Sequence, residues 1–84
     1  MNLSFPQNKR AKENSLHQQL NKVLEEATEA LTAYLDHEGD DRVLEELIDT
    51  RHAIDGALEK FTEAQVTSAY TFVLVKNANR GDYS

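Results

Sequence analysis

The chain contains no cysteine and no tryptophan, and only one proline, one methionine and three glycines. Without cysteine no disulfide can brace it, and the absence fits a reducing compartment. No run of about 18 apolar residues occurs, so no segment reads as membrane-spanning. The opening stretch MNLSFPQNKRAKEN lacks the apolar core of a secretory signal, which makes cytoplasm the expected location. Neither a glycine-rich phosphate loop nor a G-x-S-x-G elbow is present. Basic residues are scarce: nine against 15 acidic ones, for a net charge of −6. That balance disfavours nonspecific binding to nucleic acid or to anionic membranes. It still permits a small anion held by a local basic patch or a bridging cation.

Eighty-four residues allow one domain. A chain of this length buries roughly 60 to 65% of its unfolded surface, so its own core is thin. With disulfides excluded, a metal or self-association remains to add stability.

The pattern predicts an all-α fold: an antiparallel helical hairpin plus a third helix, assembling into a helical-bundle oligomer. Residues 1–13 read as a polar, extended arm around Pro6, and residues 14–84 as a single helical domain. Asn14 or Ser15 can cap a first helix. Its apolar set, Leu16, Leu20, Val23, Leu24, Ala27, Leu31, Tyr34 and Leu35, repeats at helical spacing to about Asp36. The turn 37–40 follows, with Gly39 as helix terminator and Asp40 or Asp41 as the next cap. A second helix, with Val43, Leu44, Leu47, Ile48, Ile54, Ala57 and Leu58 as its stripe, extends to about Lys60. Thr62 with Gln65 matches a capping box, and Phe61 with Val66 matches the accompanying hydrophobic staple. The last helix is expected to end near Asn79, at Gly81. Its TSAYTFVLV stretch is rich in β-branched residues, but a lone strand would have no partner in this chain.

Acidic residues recur as Glu25-Glu26-Ala27-Thr28-Glu29 and Glu45-Glu46-Leu47-Ile48-Asp49. Side chains three apart on a helix are neighbours, so Glu26 pairs with Glu29, and Glu46 with Asp49. In an antiparallel hairpin, Glu26–Asp49 and Glu29–Glu46 share one midpoint, between His37 and Glu38 inside the turn. All four carboxylates therefore lie at one height. Glu26 and Glu46 each sit roughly 100° to the same side of their helix's apolar stripe, which carries all four to one flank. Glu29 and Asp49 lie further out and need another helix or subunit to cover them. Converging carboxylates repel and raise one another's pKa. A hard divalent cation with oxygen ligands, Mg²⁺ first among them, neutralises that repulsion and can bridge to substrate phosphates. The competing reading is a solvated acidic face.

This motif resembles that of the MazG-like all-α nucleoside triphosphate pyrophosphohydrolases, whose pattern is EExxE followed by ExxD. Here Lys22-Val-Leu-Glu25-Glu26-Ala-Thr-Glu29 is followed by Glu46-Leu-Ile-Asp49. The tail from Lys76 to Tyr83, KNANRGDY, is similar to the Lys/Asn/Arg-Gly ending of many members. The likeness spans roughly residues 20–83, and this chain is shorter than common members. The resemblance implies Mg²⁺-dependent cleavage of a nucleoside triphosphate between its α and β phosphates, with Mn²⁺ as a possible substitute, in nucleotide-pool housecleaning. It implies Glu26, Glu29, Glu46 and Asp49 as metal ligands. Glu25, Glu26 and Glu46 would be catalytic, Glu25 by orienting the attacking water rather than as a ligand. It also implies a homodimer or homotetramer with sites near subunit contacts. Phosphoribosyl-ATP pyrophosphohydrolase, whose motif is similar to KVxEEAxEA, is the enzymatic alternative. A catalytically silent helical module that senses nucleotide or binds protein is the alternative from another class.

Lys76 and Arg80 share a helical face and are candidate phosphate ligands; they also suit a helix C-terminus. Asn79 and Tyr83 are candidate base or sugar contacts, or plain surface residues. Lys22, one turn before Glu26, can reach a phosphate or pair with that carboxylate. His17, His37 and His52 do not cluster, and the helical wheel sends His52 to solvent. Phe61, Tyr70, Phe72 and Val73 read as core or subunit-interface residues.

Overall fold

A computed structural model describes residues 3–83; Met1 and Asn2 of the expected arm, and Ser84 at the domain's end, lie outside it. The described residues form four helices and no strand: α1 (Lys9–Glu13), α2 (Leu16–Leu35), α3 (Asp40–Leu58) and α4 (Glu63–Asn79). The fold is all-α, as expected, and no helix among the described residues is long and apolar enough to cross a membrane.

Local chemistry sets the helix ends. Ser15 Oγ accepts from Gln18 N at 3.1 Å, while Ser15 N donates to Gln18 Oε1 at 2.7 Å. Thr62 and Gln65 form the same reciprocal box. Each box satisfies two amide donors that a helix start leaves orphaned. The α2–α3 turn departs from expectation. His37, at φ 55°, takes the left-handed position after α2. Glu38 N then donates to Ala33 O at 3.0 Å, and His37 N to Tyr34 O at 3.2 Å. This is the Schellman closure. Gly39, at φ 98°, serves instead as the N-cap of α3, without a side-chain cap. Asp40 and Asp41 fall in the first turn of α3, where carboxylates favour the positive end of the helix dipole.

α2 and α3 pack as an antiparallel hairpin. The seam, however, is not made by the leucine stripes. Its buried residues are Gln19, Glu26, Ala30 and Ala33 from α2, and Glu46, Ala53, Gly56 and Ala57 from α3. These positions recur at helical spacing and are mostly small, so the backbones approach closely. The leucines that share a face in the sequence point outward instead; Leu24 is 66% and Leu31 58% exposed.

Residues 9–13 are also not an extended arm. Asn8 Oδ1 caps α1 by accepting from Ala11 N at 3.1 Å, and α1 packs on α3. Ala11 is buried against Gly56. Lys60 Nζ donates to Ala11 O at 2.8 Å and to Asn14 O. Gln19, only 1% exposed, donates through Nε2 to Ala53 O at 2.9 Å and accepts from Asn14 Nδ2 at 3.0 Å. A five-residue helix is unstable alone; these tertiary contacts hold it.

α4 has no buried residue and packs along neither helix of the hairpin. Phe72, at 68%, and Tyr70, at 64%, are among its exposed side chains. The radius of gyration, 14.8 Å, exceeds the about 12 Å of a compact domain of this length. The accessible surface is 6773 Å², against about 5,000 Å² for a folded monomer of this mass, an excess of about 1,700 Å².

The seating of α1 yields a prediction. A Cβ built on Gly56 would stand 2.5 Å from Ala11 Cβ and 3.0 Å from Gln19 Nε2. Gly56→Ala should therefore destabilise the chain by about 1–3 kcal/mol through overpacking. Adding Ala11→Gly should recover part of that loss in urea unfolding. A neutral Gly56→Ala would show that α1 is not seated there.

Candidate metal centre

The hairpin register brings the two acidic pairs together inside the seam rather than beside it. Glu46 is 2% and Glu26 7% exposed, whereas Glu29 and Asp49 lie at the exposed rim. The inner and outer order expected from the sequence thus holds. One carboxylate oxygen from each of Glu26, Glu46 and Asp49 lies within 4.8 Å of the others. Glu29 stands beside this trio, close enough to raise the Glu46 pKa. Glu25 faces solvent and approaches Lys22 at 3.7 Å.

Two cations partly balance the buried acids. Lys22 Nζ reaches Glu26 Oε1 at 2.9 Å, and Arg42 Nη2 reaches Glu46 Oε1 at 2.6 Å. Both pairs are one helical turn apart, with the cation on the N-terminal side. Because the helices are antiparallel, the two cations flank the acids from opposite ends. Arg42 is the residue that the acidic pattern alone does not single out. Its signal in the sequence is its spacing, four residues before Glu46, which matches that of Lys22 before Glu26. The hydrogen bond to Glu26, reinforced by the charges of Glu26, Glu25 and Glu29, holds the Lys22 ammonium above its ordinary pKa.

The balance is incomplete. Glu26 Oε2 and Glu46 Oε2 are buried without a hydrogen-bond partner among the described residues. Native proteins rarely leave carboxylate oxygens in that state. Burial, more than any other cause, raises the Glu46 pKa above its ordinary 4.5. The neighbouring carboxylates of Glu29 and Glu26 raise it further, against the opposing pull of Arg42. A compact oxygen-ligated dication meets both demands, because it supplies positive charge and engages the orphaned oxygens. The donor set is all carboxylate, which suits Mg²⁺ or Mn²⁺. In chemical terms the residues present fit such an ion.

The remaining sequence candidates are placed elsewhere. Lys76, Asn79, Arg80 and Tyr83 do not line the cleft beside the acids. Arg80 Nη2 instead donates to Asp82 Oδ2 at 2.8 Å and to Asn77 Oδ1 at 2.9 Å. The Tyr83 hydroxyl accepts from Asn77 Nδ2 at 3.2 Å. The tail is a self-bonded cap on α4. His52 is a further departure: it is half-buried, its ring stacks on Phe5 with centroids 4.4 Å apart, and its Nε2 is buried without a partner among the described residues. The helical wheel sends it to solvent because a wheel cannot show residues 5–11 folding back over α3.

A concavity of about 640 Å³ lies on α3, where Asp41, Glu45 and Asp49 flank Leu44 and Ile48. It is separate from the buried seam of Glu26 and Glu46. No family model, no curated protein and no solved structure matches this chain.

The raised Glu46 pKa fixes a sign for pH dependence. The folded, metal-free chain holds a proton more tightly than the unfolded chain, so its stability falls as pH rises above about 4.5 through the raised folded value. Glu46→Gln mimics the protonated acid. In metal-free protein it should flatten that decline, with thermal denaturation as the readout. Mn²⁺ should raise the melting temperature of the native chain more at pH 7 than at pH 5, and barely affect Glu46→Gln. Equal stabilisation of both chains by Mn²⁺ would remove Glu46 from the centre.

Proposed function

We propose that the chain is a Mg²⁺-dependent nucleoside triphosphate pyrophosphohydrolase of the MazG-like kind, yielding a nucleoside monophosphate and pyrophosphate. The observation that carries this reading is the acidic trio in the hairpin seam. Its two buried members keep unpartnered oxygens, and cations adjoin both. A solvated acidic face would leave those oxygens in water.

Glu26, Glu46 and Asp49 would hold the ion, with Glu29 joining as the fourth ligand. When bound, Mg²⁺, or Mn²⁺ in its place, supplies charge neutralisation on the phosphates and acidifies water. The chain's own residues do the rest. Glu25, outside the inner trio, would orient and deprotonate the attacking water. Lys22 would swing from Glu26 to a phosphate oxygen once the ion takes its place. The likeness of the two acidic motifs and of the KNANRGDY tail to the MazG-like pattern supports the same reading. A housecleaning role in the cytoplasm is consistent with it.

The working form in this proposal is a homodimer or homotetramer. The outward leucines of α2, the exposed Leu44 and Ile48 of α3 and the unpacked α4 contribute to the surplus surface. Obligate interfaces bury about 2,000–5,000 Å² in total, and twice the surplus per chain falls within that range. Apolar faces of two antiparallel hairpins make a four-helix bundle by the packing typical of such helices. In such a bundle α4 of a second chain would carry Lys76, Asn79, Arg80 and Tyr83 toward the acids.

Two measurements test the proposal. Purified protein should release pyrophosphate from at least one member of a ribo- and deoxyribonucleoside triphosphate panel with Mg²⁺, and not with a chelator. Glu46→Gln should lower turnover by at least about 100-fold while keeping the helical circular dichroism signal. No release from any nucleotide by folded protein would overturn the enzymatic reading. Separately, light scattering should give a mass that is a multiple of the 9.5 kDa chain. A monodisperse monomer would overturn the assembly.

A further inference from the structure

A second cleft, of about 240 Å³, adjoins the acidic centre, and its lining carries both signs of charge. Glu26 and Asp49 line it together with Asn8, Arg10, Lys22 and His52. Two of these residues, Asn8 and Arg10, come from the segment that folds back over α3. Their position follows from contacts already described: Ala11 seated on Gly56 and the Lys60 clamp on Ala11 O.

The nitrogen-bearing side chains of the lining have unused capacity. Lys22 is engaged with Glu26. Arg10, by contrast, forms no ion pair or side-chain hydrogen bond among the described residues, although it borders a cleft shared with two carboxylates. His52 Nε2 is buried and unpartnered among the same residues. On the acidic side, Glu26 is more than nine-tenths buried and its Oε2 also lacks a partner. Side chains with unengaged nitrogen atoms and a carboxylate with an unengaged oxygen therefore border one small cleft. A dication alone would satisfy the acceptor and leave the donors idle. An anion alone would satisfy the donors and be repelled by the acids. A polyphosphate with its dication satisfies both.

We propose that this cleft seats the polyphosphate chain of the substrate, with Arg10 as its principal anion ligand and His52 as a second donor. This rests on the nucleotide reading given above. A guanidinium binds a phosphate through paired, charge-assisted hydrogen bonds. The cleft is smaller than the about 300 Å³ at which small-molecule pockets begin, so it takes the phosphates and leaves sugar and base outside. The short N-terminal helix thereby gains a role, because it carries Arg10 to the metal centre. Phe5, stacked on His52, fixes the imidazole in the wall.

Titration calorimetry on the full chain, with Mn²⁺ alone and with Mn²⁺ plus inorganic tripolyphosphate, tests the seat. Arg10→Ala should bind Mn²⁺ alone as well as the native chain does, and should bind tripolyphosphate at least about tenfold more weakly. Arg10→Lys should recover part of the loss, because it restores charge without the fork. Arg51→Ala, which removes an equal charge from an exposed site on α3, should bind as the native chain does. If Arg10→Ala binds tripolyphosphate normally, or if Arg51→Ala loses as much, the seat is wrong and the metal centre stands. If the native chain binds neither Mn²⁺ nor tripolyphosphate, the nucleotide reading fails and the seat with it. Circular dichroism confirms that each variant is folded.

Discussion

The narrow seam between α2 and α3 is the constraint on which the rest of the molecule depends. Alanine and glycine let the two backbones approach, and that approach leaves no room for leucine. Gln19, Ala53 and Gly56 lock one end of the seam through a buried amide, and Ala11 closes over the same end. Once those positions face each other, the antiparallel register is set. Glu26 and Glu46 must then enter the interior together, because each lies a whole number of turns from the alanines that bury it.

Putting two carboxylates into such a seam creates an electrostatic problem that the chain solves only partly. Lys22 and Arg42 each reach one oxygen. The second oxygen of each buried glutamate stays unpartnered among the described residues. Buried ion pairs of this kind are often no more stabilising than well-packed apolar residues of similar volume. Strain of this kind, confined to one spot in an otherwise consistent helical design, is the pattern of a functional site. The neighbouring cleft adds side-chain nitrogens without a partner among the described residues, in Arg10 and His52.

The same seam turns the large apolar residues outward. A chain of 84 residues that spends its internal interface on small and acidic side chains has little else with which to make a core. Its leucines and the aromatic residues of α4 lie in water unless another surface meets them. The buried acids and the exposed apolar surface are thus two consequences of one packing arrangement: the acids occupy the inside of the hairpin, and the apolar mass is left for its outside.

Much of this was legible without coordinates, and the physical reason separates what was from what was not. Helix starts at Ser15 and Thr62 are governed by capping boxes that close within four residues, so sequence alone determined them. The shared height of Glu26, Glu29, Glu46 and Asp49 follows from a short turn and a constant rise per residue, and it too was determined by sequence. Periodicity, however, says which residues share a face, and not which face a chain keeps for itself. Only the tertiary structure decided that the alanine face packs inward and the leucine face outward, because that choice depends on how closely two backbones can approach. The folding of residues 9–13 into α1 was likewise decided by contacts with Gly56 and Lys60, more than forty positions away. The sequence therefore determined the helices and the meeting of the acids. The tertiary structure decided that the acids meet in a buried seam, with Arg10 and His52 beside them.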